Sequence, residues 1–200
     1  MFKLITVFSF VCISGLIFYG VYSRKKDKPR TVYLQPFDDV NTSEVNRLYG
    51  QLQKIIPGIQ KLKSISLTKQ AYYAPRNRYR ADSLIAFFKR RANKGSVIIG
   101  ITNKDISTTK GKYQDFGVMG LAYQPGRSCV ISTYRLNKIK LPAQTYKVAI
   151  HELGHTQDLP HCKIKTCYMR DAEGGNPLDD EIEFCDSCKR VLKNKGWLLQ

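Results

Sequence analysis

Apolar and polar residues follow regular patterns along most of this chain, and the patterns predict strands and helices in turn. Residues 31–37 alternate apolar with polar side chains, which predicts a strand. From Val45 onwards apolar residues recur at helical spacing until Pro57 and Gly58 interrupt them. Asn41 to Glu44 have the composition of a helix cap, so a helix is expected between these two signals.

The middle of the chain continues in the same way. We predict a strand around 62–67, a helix from about 82 to 92, and short strands at 96–101 and 128–134. A glycine-rich loop is expected between the last two strands. Pro142 then lies near the start of another helix. Because helices and strands alternate, the pattern predicts an α+β or α/β domain built on a sheet, and we favour α+β with a mixed β-sheet.

The first segment of the chain differs, because residues Leu4 to Tyr22 carry no charge and are mostly apolar. Such a run is long enough to cross a bilayer as a helix, and a cluster of basic residues follows it. We therefore predict a membrane-anchored, single-pass protein with 1–23 as a transmembrane anchor or signal segment, 24–30 as a basic linker and 31–200 as the folded domain. A cleaved signal sequence and lipidation of Cys12 are the alternatives, and the side of the membrane stays open.

The charge of the chain is strongly positive, since 33 lysines and arginines face 16 acidic residues for a net +17. The excess lies before residue 160, because 160–200 carries equal numbers of basic and acidic side chains. Nucleic acid, an anionic membrane or an acidic substrate could each balance it. The run Arg76 to Arg80 alone is too weak a nucleic-acid motif, so we expect no specific nucleic-acid partner. Our interpretation is a solvated basic surface beside a membrane.

All three histidines of the chain lie in one segment. His151 and His155 are four residues apart, so on a helix they share a face and can bind one ion. Asp158 to Pro160 disfavour continuation of that helix and favour a turn that brings His161 back to the same ion. Three histidines with a fourth position left for water are typical of catalytic zinc. We therefore predict that zinc binds here.

The residue after the first histidine provides the acid-base chemistry. Glu152 lies where its carboxylate can stand beside the metal without binding it and accept a proton from water. Since zinc activates water and polarises a carbonyl, we predict a zinc metallopeptidase that hydrolyses peptides or unfolded protein with Glu152 as general base. The alternative is a zinc-stabilised binding module with a silent active site, against which the intact Glu152 argues. Cleavage specificity and oligomeric state stay open.

Four of the six cysteines crowd the last forty residues in two close pairs, a layout typical of a structural zinc site. Two disulfides or unligated thiols are the alternatives. A closed four-thiolate site would bind a second zinc per chain as scaffold, and because Cys162 follows His161 directly it would also fix the third catalytic ligand. The four residues are Cys162, Cys167, Cys185 and Cys188.

These residues together resemble the archaemetzincin, or archaelysin, family of metallopeptidases. That family joins an extended H-E-x-x-H-x-x-G-x-x-H motif to a cysteine, followed by a second cysteine, one residue, a methionine and a later C-x-x-C. The matching residues here are His151, Glu152, His155, His161, Cys162, Cys167, Met169, Cys185 and Cys188. Asp158 replaces the family glycine and can adopt the same turn at modest strain.

The resemblance implies a metzincin-like zincin in which the active-site helix lies under the mixed sheet. It also implies three histidine ligands on a catalytic zinc, Met169 in the turn beneath the metal, and a small zinc-stabilised lobe over about 162–200. By analogy with this class, the strand at 128–134 is a candidate edge for pairing with an extended peptide, with core packing as an equal rival.

Overall fold

The computed structural model describes residues 28–200, in which four helices and nine strands are formed. The helices are α1 (Thr42–Gln53), α2 (Ala81–Arg91), α3 (Leu141–Thr156) and α4 (Asp186–Asn194). The strands are β1 (Thr31–Pro36), β2 (Gln60–Lys61), β3 (Tyr72–Tyr73), β4 (Arg78–Arg80), β5 (Ser96–Thr102), β6 (Ile106–Lys110), β7 (Tyr113–Val118), β8 (Gly120–Ala122) and β9 (Ser128–Ser132).

Two mixed sheets organise these elements, which confirms the α+β prediction. The larger sheet has the order β2-β1-β5-β9-β8, and its strands are parallel except for β8, which runs antiparallel at one edge. The smaller sheet has the order β3-β4-β6-β7. Helices α1 and α3 share one buried apolar cluster against the large sheet, and α2 packs in a second. Central strand β5 is buried along its whole length, as parallel strands between two layers usually are.

The predicted helices are observed close to their expected positions. Asn41 caps α1, since its side-chain oxygen accepts a hydrogen bond from the Ser43 amide at 2.8 Å. Of the predicted strand at 62–67 only a single bridge between Phe37 and Ile65 is observed, and the short strand β2 lies just before this range. The glycine-rich segment expected to be a loop instead forms β6, β7 and β8, because pairing with neighbouring strands outweighs a weak local pattern.

The predicted membrane-anchored, single-pass localisation is overturned. None of the helices within 28–200 combines the length and the apolar character needed to cross a bilayer. Even α3, the longest of them, has 16 residues against the roughly 20 that a bilayer requires, and it buries polar side chains such as Glu152 and His155. The segment Leu4 to Tyr22, on which the prediction rested, lies outside the described residues.

The contact between α2 and β5 depends on the absence of a side chain at Gly100. A Cβ built there would stand 2.3 Å from ring atom Cε2 of Phe88, which is almost fully buried. The ring therefore lies directly on the strand backbone, and this close approach brings α2 onto the sheet.

We expect Gly100→Ala to destabilise the protein by about 1–3 kcal/mol, because the added methyl group must displace a buried aromatic ring. Gly95→Ala is the matched control, since a Cβ at Gly95 has only the Asn93 side-chain oxygen nearby, at 3.8 Å. Urea unfolding of both variants measures the difference. Equal midpoints would contradict the close packing of Phe88 on β5.

Candidate active site and cysteine cluster

Helix α3 ends one residue after its second histidine. Asp158 has a φ of 76° and its amide donates to the His155 carbonyl at 2.9 Å, while the Leu159 amide donates to the Gly154 carbonyl at 3.1 Å. The turn predicted at Asp158 is therefore present. Arg30 closes the helix end from outside by donating to the Thr156 carbonyl, where a positive charge is favourable.

The rings of His151 and His155 are each oriented by a backbone carbonyl. Nδ1 of His151 lies 2.7 Å from the Tyr168 oxygen, and Nδ1 of His155 lies 2.7 Å from the Leu159 oxygen. A carbonyl oxygen can only accept a hydrogen bond, so each Nδ1 carries the ring proton and each Nε2 presents a lone pair. The two Nε2 atoms nevertheless lie 3.0 Å apart. Two facing lone pairs repel unless a cation lies between them, so this arrangement fits a metal ion.

Both rings are electrically neutral in this environment. Burial, with a contribution from the neighbouring His155, lowers the pKa of His151 to about 3, and burial also lowers the pKa of His155. Neutral imidazole is the form that binds zinc. Tetrahedral ligands with Zn–N distances near 2.0–2.1 Å would be about 3.3 Å apart, close to the observed 3.0 Å between the two nitrogens.

His161 completes the group from the other side of the turn. Its ring centroid lies 4.8 Å from that of His155 and 5.4 Å from that of His151, and the ligand atoms of all three lie within 4.8 Å of one another. Nδ1 of His161 faces a carboxylate oxygen of Asp171 at 3.3 Å. The side chain of His161 is 47% exposed, so the group opens to solvent on this side. Sequence reasoning missed Asp171, because no spacing rule links it to the histidines.

Glu152 lies buried next to the histidines and against the backbone of β8. A Cβ built at Gly120 would stand 2.4 Å from Oε1 of Glu152, so only glycine allows the strand to approach this closely. Burial raises the pKa of Glu152 to about 8. Sequence reasoning gave Gly120 no role in the site, although a glycine inside a strand is a signal of close backbone approach.

Met169 lies beneath the histidines and is fully buried. A Cβ at Gly154, between the two helical histidines, would meet its sulfur at 2.6 Å, so the thioether packs directly on α3. The Met169 carbonyl accepts a hydrogen bond from the Cys162 amide at 2.7 Å. This bond joins the turn at Met169 to the segment that carries His161.

A cleft of about 620 Å³ opens in front of these residues. It lies between β8, α3, the β6 and β7 hairpin and the loop after Met169. Strand β9 is buried between β5 and β8, so the free edge expected at 128–134 belongs to β8 instead. Sequence reasoning missed β8 because it is short and follows directly on a strand of the other sheet. The lining includes Gly120, Leu121, Ala122, Val148, His151, Glu152, His155, His161, Asp171, Leu178 and Glu181.

The four cysteines near the C-terminus also come together, with their sulfur atoms within 4.8 Å of one another. Sγ of Cys162 lies 3.8 Å from Sγ of Cys185, far beyond the ~2.05 Å of a disulfide. Tetrahedral zinc with Zn–S distances near 2.3 Å would separate its sulfurs by about 3.8 Å, so the group fits a structural zinc. Sγ of Cys167 also accepts the Cys185 amide at 3.3 Å.

Two of these cysteines begin α4. Cys185 is the residue before the first turn and Cys188 lies within that turn, where burial and the neighbouring thiols raise the pKa of Cys188. Burial alone would raise the pKa of Cys185, but hydrogen bonds from Cys188, Cys162 and Cys167 lower it overall. One thiol of the group is therefore predisposed to lose its proton to a metal.

Comparison with known proteins gives a consistent answer. The sequence profile of peptidase family M54 matches residues 30–194. Archaemetzincin from Haloarcula marismortui is 35% identical over 138 residues, covering 62% of this chain and 77% of the relative. Archaemetzincin from Archaeoglobus fulgidus is 30% identical over 167 residues, covering 81% of this chain and 98% of the relative.

Solved structures agree with these sequence matches. The crystal structure of archaemetzincin from Archaeoglobus fulgidus, complexed with malonate, aligns with a TM-score of 0.68 at 29% identity and covers 80% of this chain and 99% of that one. The structure of archaemetzincin from Methanopyrus kandleri aligns with a TM-score of 0.69 at 24% identity, over 87% and 98% of the two chains. The second match supports the fold alone.

We expect Asp171→Ala to weaken the binding of zinc to the three histidines about 10- to 100-fold, because His161 loses the partner that orients its ring. Asp179→Ala is the control, since that exposed carboxylate lies in the same region but pairs with Lys140 at 2.8 Å instead of a histidine. Competition with a chromophoric chelator measures both affinities. If the two variants bind zinc equally well, Asp171 does not orient His161.

Proposed function

The chain belongs to peptidase family M54, the archaemetzincins, and is a zinc metallopeptidase; from this premise we propose that His151, His155 and His161 hold the zinc and that Glu152 transfers the proton. The observation that carries the proposal is the pair of unprotonated Nε2 atoms 3.0 Å apart in the same cleft as the buried carboxylate. Zinc bound there supplies Lewis-acid activation of water and of the substrate carbonyl.

Glu152 acts as general base and then as general acid. Water adds to the carbonyl carbon while its proton passes to the carboxylate, and the same proton reaches the leaving nitrogen as the C–N bond breaks. Burial alone raises the pKa of Glu152 to about 8, and a divalent cation beside the carboxylate would lower that pKa again, so that the group can accept a proton from water and later donate it.

The substrate is a peptide or a protein segment that binds in extended form along β8. This strand is hydrogen-bonded only to β9, so its other edge offers backbone groups to an added strand. Gly120 to Ala122 line the cleft together with the three histidines, and this supports a binding mode in which the peptide backbone would lie beside Glu152. The chain turns sharply at Asp158 and one side of His161 is exposed, so the cleft has room for the peptide at this end.

We further propose a second, structural zinc on Cys162, Cys167, Cys185 and Cys188. Four thiolates form a closed site with no position for water, so this ion would stabilise the fold and take no part in hydrolysis. Because Cys162 is covalently bonded to His161, a metal on the cysteines also fixes the third catalytic ligand.

Glu152→Gln is expected to reduce peptide hydrolysis by about 10²- to 10⁴-fold, because the amide cannot accept the proton from water. Zinc should stay bound to the histidines, because the Glu152 carboxylate is not a ligand. Glu183→Gln provides the control, as the same charge is removed from a side chain that is 63% exposed and outside the cleft. A quenched fluorogenic peptide measures activity and mass spectrometry measures zinc. Loss of zinc together with activity would contradict this division of roles.

The purified protein should contain two zinc ions of different lability. Mild chelation is expected to remove the ion on the three histidines first and to leave a folded, inactive protein. The double variant Cys185→Ser, Cys188→Ser should instead lose the ion on the cysteines and have a looser C-terminal lobe. Cys129→Ser, a buried cysteine outside the cluster, should keep both ions. Metal analysis with thiol titration of the denatured protein decides, since one zinc and only two free thiols among the six cysteines would indicate two disulfides in place of the second ion.

A further inference from the structure

Glu181 is a buried carboxylate in the wall of the cleft. The residue is 3% exposed, and its Oε2 finds no hydrogen-bond partner anywhere in the described part of the chain. An unpaired buried carboxylate opposes folding, so it needs either a proton or a cation. Burial accordingly raises the pKa of Glu181 to about 7.

The charged groups around Glu181 do not neutralise it directly. Lys147 on α3 is the nearest cation, but its ammonium donates to the backbone oxygens of Leu178 and Glu181 at 2.5 Å each and forms no ion pair with the carboxylate. Arg170 also lowers the pKa of Glu181 from a distance, while its guanidinium pairs with Asp180 at 3.3 Å. No cation among residues 28–200 lies within 4.0 Å of the Glu181 carboxylate.

The other cations of the cleft wall have partners of their own. Arg135 donates two hydrogen bonds to Asp105, at 2.7 and 2.9 Å. Lys110 lies over the ring of Phe116 at 5.1 Å. The carboxylate of Glu181 therefore has no cation of its own among the described residues, and a positively charged substrate side chain in the cleft would supply one.

The walls between the catalytic residues and Glu181 suit a long methylene chain. Val148 lies on α3 about one turn before Glu152, about 6 Å along the helix axis, and lines the cleft. Pro177 and Leu178 line the cleft as well, and Lys147 ties the backbone at Glu181 and Leu178 to α3 beside Val148. Apolar walls that end in a carboxylate match lysine and arginine, whose apolar stems end in a charge.

We propose that Glu181 makes this peptidase selective for substrates with a lysine or arginine side chain near the scissile bond, seated between Val148 and Glu181. The inference rests on the proposed function of the same cleft. Glu181 would act as a specificity residue, because it touches the substrate side chain and takes no part in bond cleavage.

The first test compares peptides blocked at both ends that carry lysine, arginine or norleucine at successive positions around the scissile bond. Norleucine has the lysine stem without its ammonium group. We expect the zinc-loaded enzyme to favour lysine or arginine over norleucine about 10- to 100-fold in kcat/KM at one position. Glu181→Gln should bring this ratio close to one, whereas Glu183→Gln should leave it unchanged. Equal ratios in the enzyme and in Glu181→Gln would overturn the proposal.

The second test is thermal unfolding of the zinc-loaded proteins at pH 5 and pH 8. Because the folded state raises the pKa of Glu181 above its ordinary value, the wild type loses stability as the pH rises through about 7, and the glutamine variant does not. We therefore expect Glu181→Gln to gain melting temperature relative to the wild type between pH 5 and pH 8. A variant that is less stable at pH 8 would show that Glu181 is paired within the fold, which also overturns the proposal.

A binding measurement separates this inference from the proposed function. The same blocked peptides are titrated onto zinc-loaded Glu152→Gln, with and without Glu181→Gln, by fluorescence anisotropy. A preference for lysine over norleucine that disappears with Glu181→Gln supports the specificity role even where no peptide is cleaved. If peptides bind without any such preference, the inference is wrong while the peptidase function stands.

Discussion

For three imidazole lone pairs to meet at one point, as the proposed zinc site requires, α3 has to end soon after His155. A helix rises about 1.5 Å per residue, so one that continued past His155 would carry residue 161 about 9 Å further along the axis and onto a different face. The left-handed backbone at Asp158, with φ of 76°, reverses the chain instead. Aspartate accepts this conformation better than most residues, which explains how it can stand where the family motif has glycine.

The reversed chain is then held by the elements that follow it. The Cys162 amide bonds to the Met169 carbonyl, the Met169 sulfur packs on α3 at Gly154, and the Tyr168 carbonyl orients His151. One short segment therefore sets the position of the first and third histidines together. The apolar side chains of this region, among them Leu178 and Leu192, belong to the same cluster as α1 and α3, and four cysteines that gather on one ion would add a local constraint of their own.

The sequence predicted those parts of the molecule that depend on local spacing. The histidine motif, its turn at Asp158 and the helix over 81–91 follow from periodicity and from residues that end helices. Strands β7 and β8 were missed because none of their residues is buried and each contains a glycine, and β6 was missed because its only apolar residue is Ile106, so pairing across the sheet defines all three. Asp171 and Glu181 were missed for a related reason, since their roles arise from contacts with residues distant along the chain.

The way the fold treats its buried carboxylates distinguishes structure from function. Asp105 is matched by two arginines, with Arg78 at 3.1 Å and Arg135 at 2.7 Å, as expected for a charge that only has to be tolerated. Glu152 and Glu181 are equally buried, yet within the described chain neither has a cation within 4.0 Å, and burial raises the pKa of both. Both line the same cleft. An unpaired buried carboxylate in a cleft is typical of a functional site, which supports our proposals that zinc lies beside Glu152 and that a substrate cation binds Glu181.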